Sequence, residues 1–313
     1  MKLSASQWDS ILDQHGNARH QRQSPTSVDS VDTWPQITDG GASELRNVAY
    51  VLALEGSSTP NPSWGFWEKA LDVVVQAAQP APSITHVEIC LGPNARHDDM
   101  HFATYLGAKA GWGASFGGQR DFYLGFNGPQ WRAVPVVAAD ASARMRVECG
   151  RHVHTPYSLG KYLCGIPPLR AFASLLGEQP QTAAHCGILT ARVLKYGLKE
   201  LGIHHAPSWF GPATLFLELD SERNRAVFHQ KLVDSDCTVR GTADEEAETR
   251  AMHTLLNGSD DEIVNNLDDD ACAIAIHRLT VRALEPGMDD VARKITQKQL
   301  ATALLRYSLC RNL

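Results

Sequence analysis

Between Asn47 and Val137 the chain is cut into short apolar runs fenced by turn-forming clusters, and this pattern limits the fold more than any other feature of the sequence. VAYVLAL is bounded by GSSTPNP, and ITHVEICLG, HFATYLG, RDFYLGF and WRAVPVV are separated by Gly, Pro and Asn clusters. β-Branched and aromatic residues concentrate inside the runs, which is the composition of strands in an antiparallel sheet. Only SWGFWEKALDVVVQAA interrupts the series. Trp64, Trp67, Leu71 and Val74 fall there at helical spacing, and the segment stops before Pro80 and Pro82.

Past Tyr157 the periodicity turns helical, through SLGKYL, LRAFASLLG and a longer segment from about Thr182 that contains CGILTARVLKYGLKELG. ATLFLEL and AVFHQKLV read as strands returning to the sheet. ACAIAIHRLTV alternates like a strand, and DDVARKITQKQLATALLRYSL reads as a last helix. Capping boxes occur at Thr242 to Glu245 and Ser259 to Glu262. The fold class expected is α+β in three parts. Residues 1–44 are an N-terminal arm with a short docking helix at Trp8, Ile11 and Leu12, 45–240 the α+β core, and 241–313 an acidic, mostly helical C-terminal module.

The formal charge is −6, so no basic field exists to hold a nucleic-acid backbone. Between Gly241 and Asp270 ten acidic residues face Arg250 alone, so the acidity belongs to one region, expected to be peripheral and dispensable for chemistry. No apolar run is long enough to span a membrane, and Asp9 interrupts what would be a signal-peptide core. The expectation is a soluble, cytoplasmic protein. Seven scattered cysteines without a CxxC pair argue against a disulfide scaffold or a zinc ribbon and suit a reducing compartment.

Cys186 stands at the start of the helix in TAAHCGILTARVL. A thiol there faces unpaired backbone N–H groups and the positive end of the helix dipole, which favour the thiolate and could stabilise an oxyanion. A base is then required, and His86 opens the strand THVEICL with Glu88 two residues on, hence on the same face. His101, heading HFATYLG, could supply the orienting group from an adjacent strand.

In these motifs and their order, the chain resembles the circularly permuted papain-like enzymes, which include lecithin:retinol acyltransferase and bacterial thiol peptidases and amidases. There a strand His comes first, further strands follow, a Pro-Tyr element precedes the catalytic helix, and the Cys lies at the start of that helix. THVEICL, HFATYLG, the Pro156/Tyr157 pair and AHCGILTARVL follow this order over residues 47 to 200. The resemblance implies an antiparallel sheet packed on a Cys-bearing helix, with Cys186 as nucleophile, His86 as base, His101 or Glu88 as orienting group, and Tyr157 lining the cleft. His185 is not required by the pattern and reads as a capping side chain, a support for the site or a substrate contact, while Trp112, Phe116 and Trp131 are candidates for an apolar wall, with core packing as the alternative. The substrate would be a peptide, protein or acyl-bearing molecule, with no cofactor or metal.

Rival constellations exist. In the unpermuted papain order Cys186 would be followed by His204, His205 or His229 and by Asp234 or Asp236. His152 and His154 would share a face if RHVHT were extended, and could form a metal site with His204 or His205. NNLDDD lacks the ligand spacing of a calcium loop, and LGAKAGWGASFGG carries no nucleotide signature. A different class of reading makes the chain a structural or assembly protein that keeps the fold without catalysis and contacts partners through the arm and the C-terminal module.

Overall fold

The run VAYVLALE forms β1 (Val48–Glu55), whose first six side chains are buried on whichever face of the pleat they fall. A strand apolar on both faces belongs inside a covered sheet. β1 lies there, antiparallel to β2 (Ile84–Cys90) on one side and to β5 (Trp131–Val137) on the other. β3 (His101–Ala103) and β4 (Ser115–Phe116) extend the sheet beyond β2, giving the antiparallel order β4-β3-β2-β1-β5. Pro135, which has no ladder donor, falls on β5, an edge strand among the described residues.

The computed structural model describes residues 44–56, 66–78, 83–91, 101–104, 113–116, 130–166, 183–201, 203, 210–234, 245–259, 262 and 269–310. The arm, RDFYLGF and LRAFASLLG lie outside the described residues. The helices are α1 (Phe66–Ala78), α2 (Ala141–Arg151), α3 (Leu159–Cys164), α4 (Cys186–Gly197), α5 (Pro212–Leu219), α6 (Glu222–Asp234), α7 (Glu245–Asn257), α8 (Asp269–Ala283) and α9 (Asp290–Cys310). α4 and α5 pack against β2, α2 against α4 and β1, and α9 against β5, with α8 on α9 and α7 on both.

Three expected strands are helices. ATLFLEL is α5, started by Gly211 and by Pro212 at its first turn, where a missing N–H costs nothing. AVFHQKLV belongs to α6, which buries only Arg225, Phe228 and Leu232, a single stripe at helical spacing. ACAIAIHRLTV is α8: Ala271, Ala275, Leu279 and Ala283 are buried four residues apart beside Cys272, Ile276 and Thr280. RHVHT is not extended either. Arg151 ends α2, His152 sits in the following turn, and His154 has the left-handed φ of 66°. In α1, Val74 is exposed, so the apolar face read from the sequence does not bury that residue. The capping box at Ser259 is present, with the Ser259 N–H donating to Glu262 (2.7 Å) and the Glu262 N–H to the Ser259 hydroxyl (3.2 Å).

The last two helices are not peripheral. Cys272, Ile276, Leu300, Leu304 and Tyr307 belong to the same buried cluster as Val51, Ile89 and Leu189. Polar contacts tie the same parts together. Tyr50 and Thr280 share a hydrogen bond (2.9 Å), the Arg132 Nε and Nη2 donate to the Gln297 Oε1 (2.9 and 2.6 Å), and Lys294 and Lys298 pair with Glu55 (2.8 and 3.3 Å). No helix among the described residues is long and apolar enough to cross a membrane.

Candidate active site

The chain ahead of α4 is pinned before the helix begins. The Ala184 N–H donates to the Pro156 carbonyl (2.9 Å) and the Ser158 N–H to the Ala184 carbonyl (3.0 Å), so Tyr157 and Ala184 form a parallel bridge. His185 follows in extended conformation as the N-cap, its Nδ1 accepting the Gly187 N–H at 3.1 Å. Only glycine suits position 187, because a Cβ there would stand 2.7 Å from the Phe210 carbonyl oxygen and 3.0 Å from the His185 ring. Cys186 is thereby fixed in the first turn of α4, at the positive end of the helix.

β2 delivers the second group. Strand alternation puts Ile84, His86, Glu88 and Cys90 on one face, and α4 packs against this strand. Cys186, at the head of this helix, and His86 act on each other's ionisation, so the two side chains are neighbours in the buried space between α4 and β2. Burial opposes charge on both, but their mutual attraction outweighs it, with a further contribution from His185 on the thiol and from Glu88 on the imidazole. Cys186 is brought down to about 5 and His86 raised to about 10. Both directions favour the thiolate–imidazolium form of the pair.

Behind His86 stands Glu88, fully buried, with its Oε2 3.7 Å from the His86 Nε2 and its Oε1 2.6 Å from the His101 Nδ1. Burial pushes the Glu88 carboxyl up, yet the two imidazoles hold it down at about 2. His101 reaches it because β3 pairs with β2 so that His101 faces Cys90. Trp131 meets the His86 ring edge-on (centroids 6.1 Å) and Tyr162 meets the His185 ring likewise (5.4 Å), with the Tyr162 hydroxyl donating to the Thr85 carbonyl (3.1 Å).

Cys186, His86, Glu88 and His101 thus converge, and His185 adjoins them as the cap. Tyr157 braces the segment before Cys186 and is half-buried. Trp112, His204, His205 and Asp236 lie outside the described residues. His229 and Asp234 are on helix α6, not on the strand that the unpermuted order requires. His152 lies 3.3 Å from Glu148. Among the described residues no group of three or more His, Cys, Asp or Glu is arranged to hold a metal ion. Trp131, one of the three residues read as a candidate apolar wall, stands against the His86 ring. The sequence reading missed Tyr162, whose chain position carries no local signal, since helix packing brings it there.

A helix-start thiolate, a buried imidazolium and a carboxylate behind it can together perform nucleophilic attack on a carbonyl. No family model, no curated protein and no solved structure matches the chain.

Proposed function

We propose that the chain is a thiol hydrolase of the circularly permuted papain-like type, acting as a peptidase or amidase on an amide, isopeptide or ester bond. The observation that carries this reading is the buried pairing of Cys186 at the head of α4 with His86 on β2, the strand against which that helix packs. The Cys186 Sγ attacks the carbonyl carbon, and the His86 imidazolium gives its proton to the departing amine or alkoxide, leaving an acyl-enzyme. Neutral His86 then takes a proton from water as the hydroxyl adds to the acyl carbon. The carboxylic acid leaves and the thiolate–imidazolium pair returns. An acyltransferase would differ only in replacing that water by another acceptor.

The test is incubation with activated esters and peptide amides followed by mass spectrometry of the intact protein. An acyl adduct on Cys186, absent in Cys186→Ser and turned over in the parent, is the expected result. Absence of any adduct or turnover across the panel would remove the proposal. A second reading, a non-catalytic assembly component, draws on the 2% exposure of Cys186, which leaves the thiol almost covered. Under that reading the adduct never forms.

A further inference from the structure

Glu88 raises a problem of charge. It is a carboxylate with no solvent exposure, and among the described residues its partners within ion-pair distance are two imidazoles. An ionised group so placed must be compensated. If His86 were its sole counter-ion, each release of the His86 proton would strand a buried negative charge, so the base would be held in its protonated form. The second imidazole removes that constraint. His101 is fully buried and, at 2.6 Å, much closer to Glu88 than His86 is at 3.7 Å.

We infer that His101 is a charge-balancing positioning residue: its imidazolium neutralises Glu88 through the cycle, so that Glu88 orients His86 while His86 remains able to gain and lose a proton. The inference rests on the proposed thiol chemistry for its purpose, although the contact between His101 and Glu88 stands independently of it. Among the described residues, Cys90, the register partner of His101, and Glu88, both on β2, are the ionisable groups that act on His101. Burial works against the charge, and these two groups overcome it, holding the His101 proton affinity up to about 9. α4, the helix packed against β3, directs its thiol to His86. His101 acts through Glu88.

The first measurement uses the intact protein labelled with ¹⁵N-histidine, with ring nitrogens followed by NMR from pH 5 to pH 8. The expected result is one histidine, assigned to His101 by its loss in His101→Gln, with both nitrogens protonated throughout. In Glu88→Gln the same ring should become neutral near pH 7. A neutral His101 in the parent at pH 7 overturns the inference whether or not the protein hydrolyses anything.

The second measurement follows the rate of Cys186 alkylation against pH in His101→Gln. Losing a positive charge favours proton binding at the sites that remain. The acid limb should therefore move toward neutral pH by up to about one unit, and any hydrolytic kcat should fall about tenfold or more while KM holds. An unchanged pH limb and kcat would show that His101 only fills space. If His101→Gln does not fold, the NMR titration of the parent still decides, with assignment from Glu88→Gln.

Discussion

Glu88 is the residue on which the site turns, because its charge links the base on its own strand to a second imidazole on the next. Its effect on stability follows from its partners. His101 has a folded value of about 9, above the ordinary histidine value, so its contribution is fully present below about pH 6.5 and is lost as pH rises through 9. Glu88, held near 2, contributes above the ordinary carboxylate range and loses that contribution only as pH falls toward 2. Glu88→Gln should cost about 3–5 kcal/mol near pH 6, measured by thermal or denaturant unfolding. The difference from the parent should shrink between pH 7 and 9, and a pH-independent difference would contradict the assignment. The pairing of His86 with Glu88 was legible in the sequence, because strand period alone sets residues two apart on one face. Glu88 standing between two histidines was not legible. That depends on the β2–β3 register, which no local pattern around His101 specifies.

Among the elements, α4 starts in a confined place. Its first turn threads between the Phe210–Gly211 backbone and the capping ring of His185, with Gly165 packed against Gly211 nearby. Gly187→Ala gains about 0.5–1 kcal/mol of helix propensity. That gain is opposed by contact with backbone atoms that do not rotate away. The expected balance is a destabilisation of about 1–3 kcal/mol, read as a lower unfolding midpoint together with slower Cys186 alkylation; an unchanged or higher midpoint would show that the loop at Phe210 yields. β1, β2, β5, α1 and α4 were legible because each has one dominant period or is continuously apolar within strand length. α5, α6 and α8 were not. ATLFLEL is apolar enough to suit either state, and in ACAIAIHRLTV the alternation of Ala with Cys and Ile imitates a strand, while the buried set follows the helical rows.

At the scale of the whole molecule, the sequence suggested an acidic C-terminal appendage, whereas α8 and α9 complete the core. Charge composition reported the stretch from Gly241 to Asp270, and the apolar residues after it decide the packing. Removing everything after Val239 would uncover β5 and Tyr50 and leave Arg132, which is mostly buried, without Gln297. The expected product is aggregated or unfolded by circular dichroism. A soluble, cooperatively folding truncation would show the core to be smaller than drawn. Within the core, Leu300→Ala should cost about 2–5 kcal/mol. The central claim, an ionised Cys186–His86 pair at the head of α4, meets its most direct test in the intact chain, where all cysteines compete for a limiting amount of iodoacetamide at pH 6. Access favours the exposed Cys164, whereas ionisation favours Cys186, which is almost covered. The account predicts that mass spectrometry finds Cys186 labelled first and that His86→Ala slows this labelling about a hundredfold, as expected for a thiol returned to its ordinary range. Labelling of Cys164 ahead of Cys186, or a Cys186 rate indifferent to His86→Ala, would contradict it.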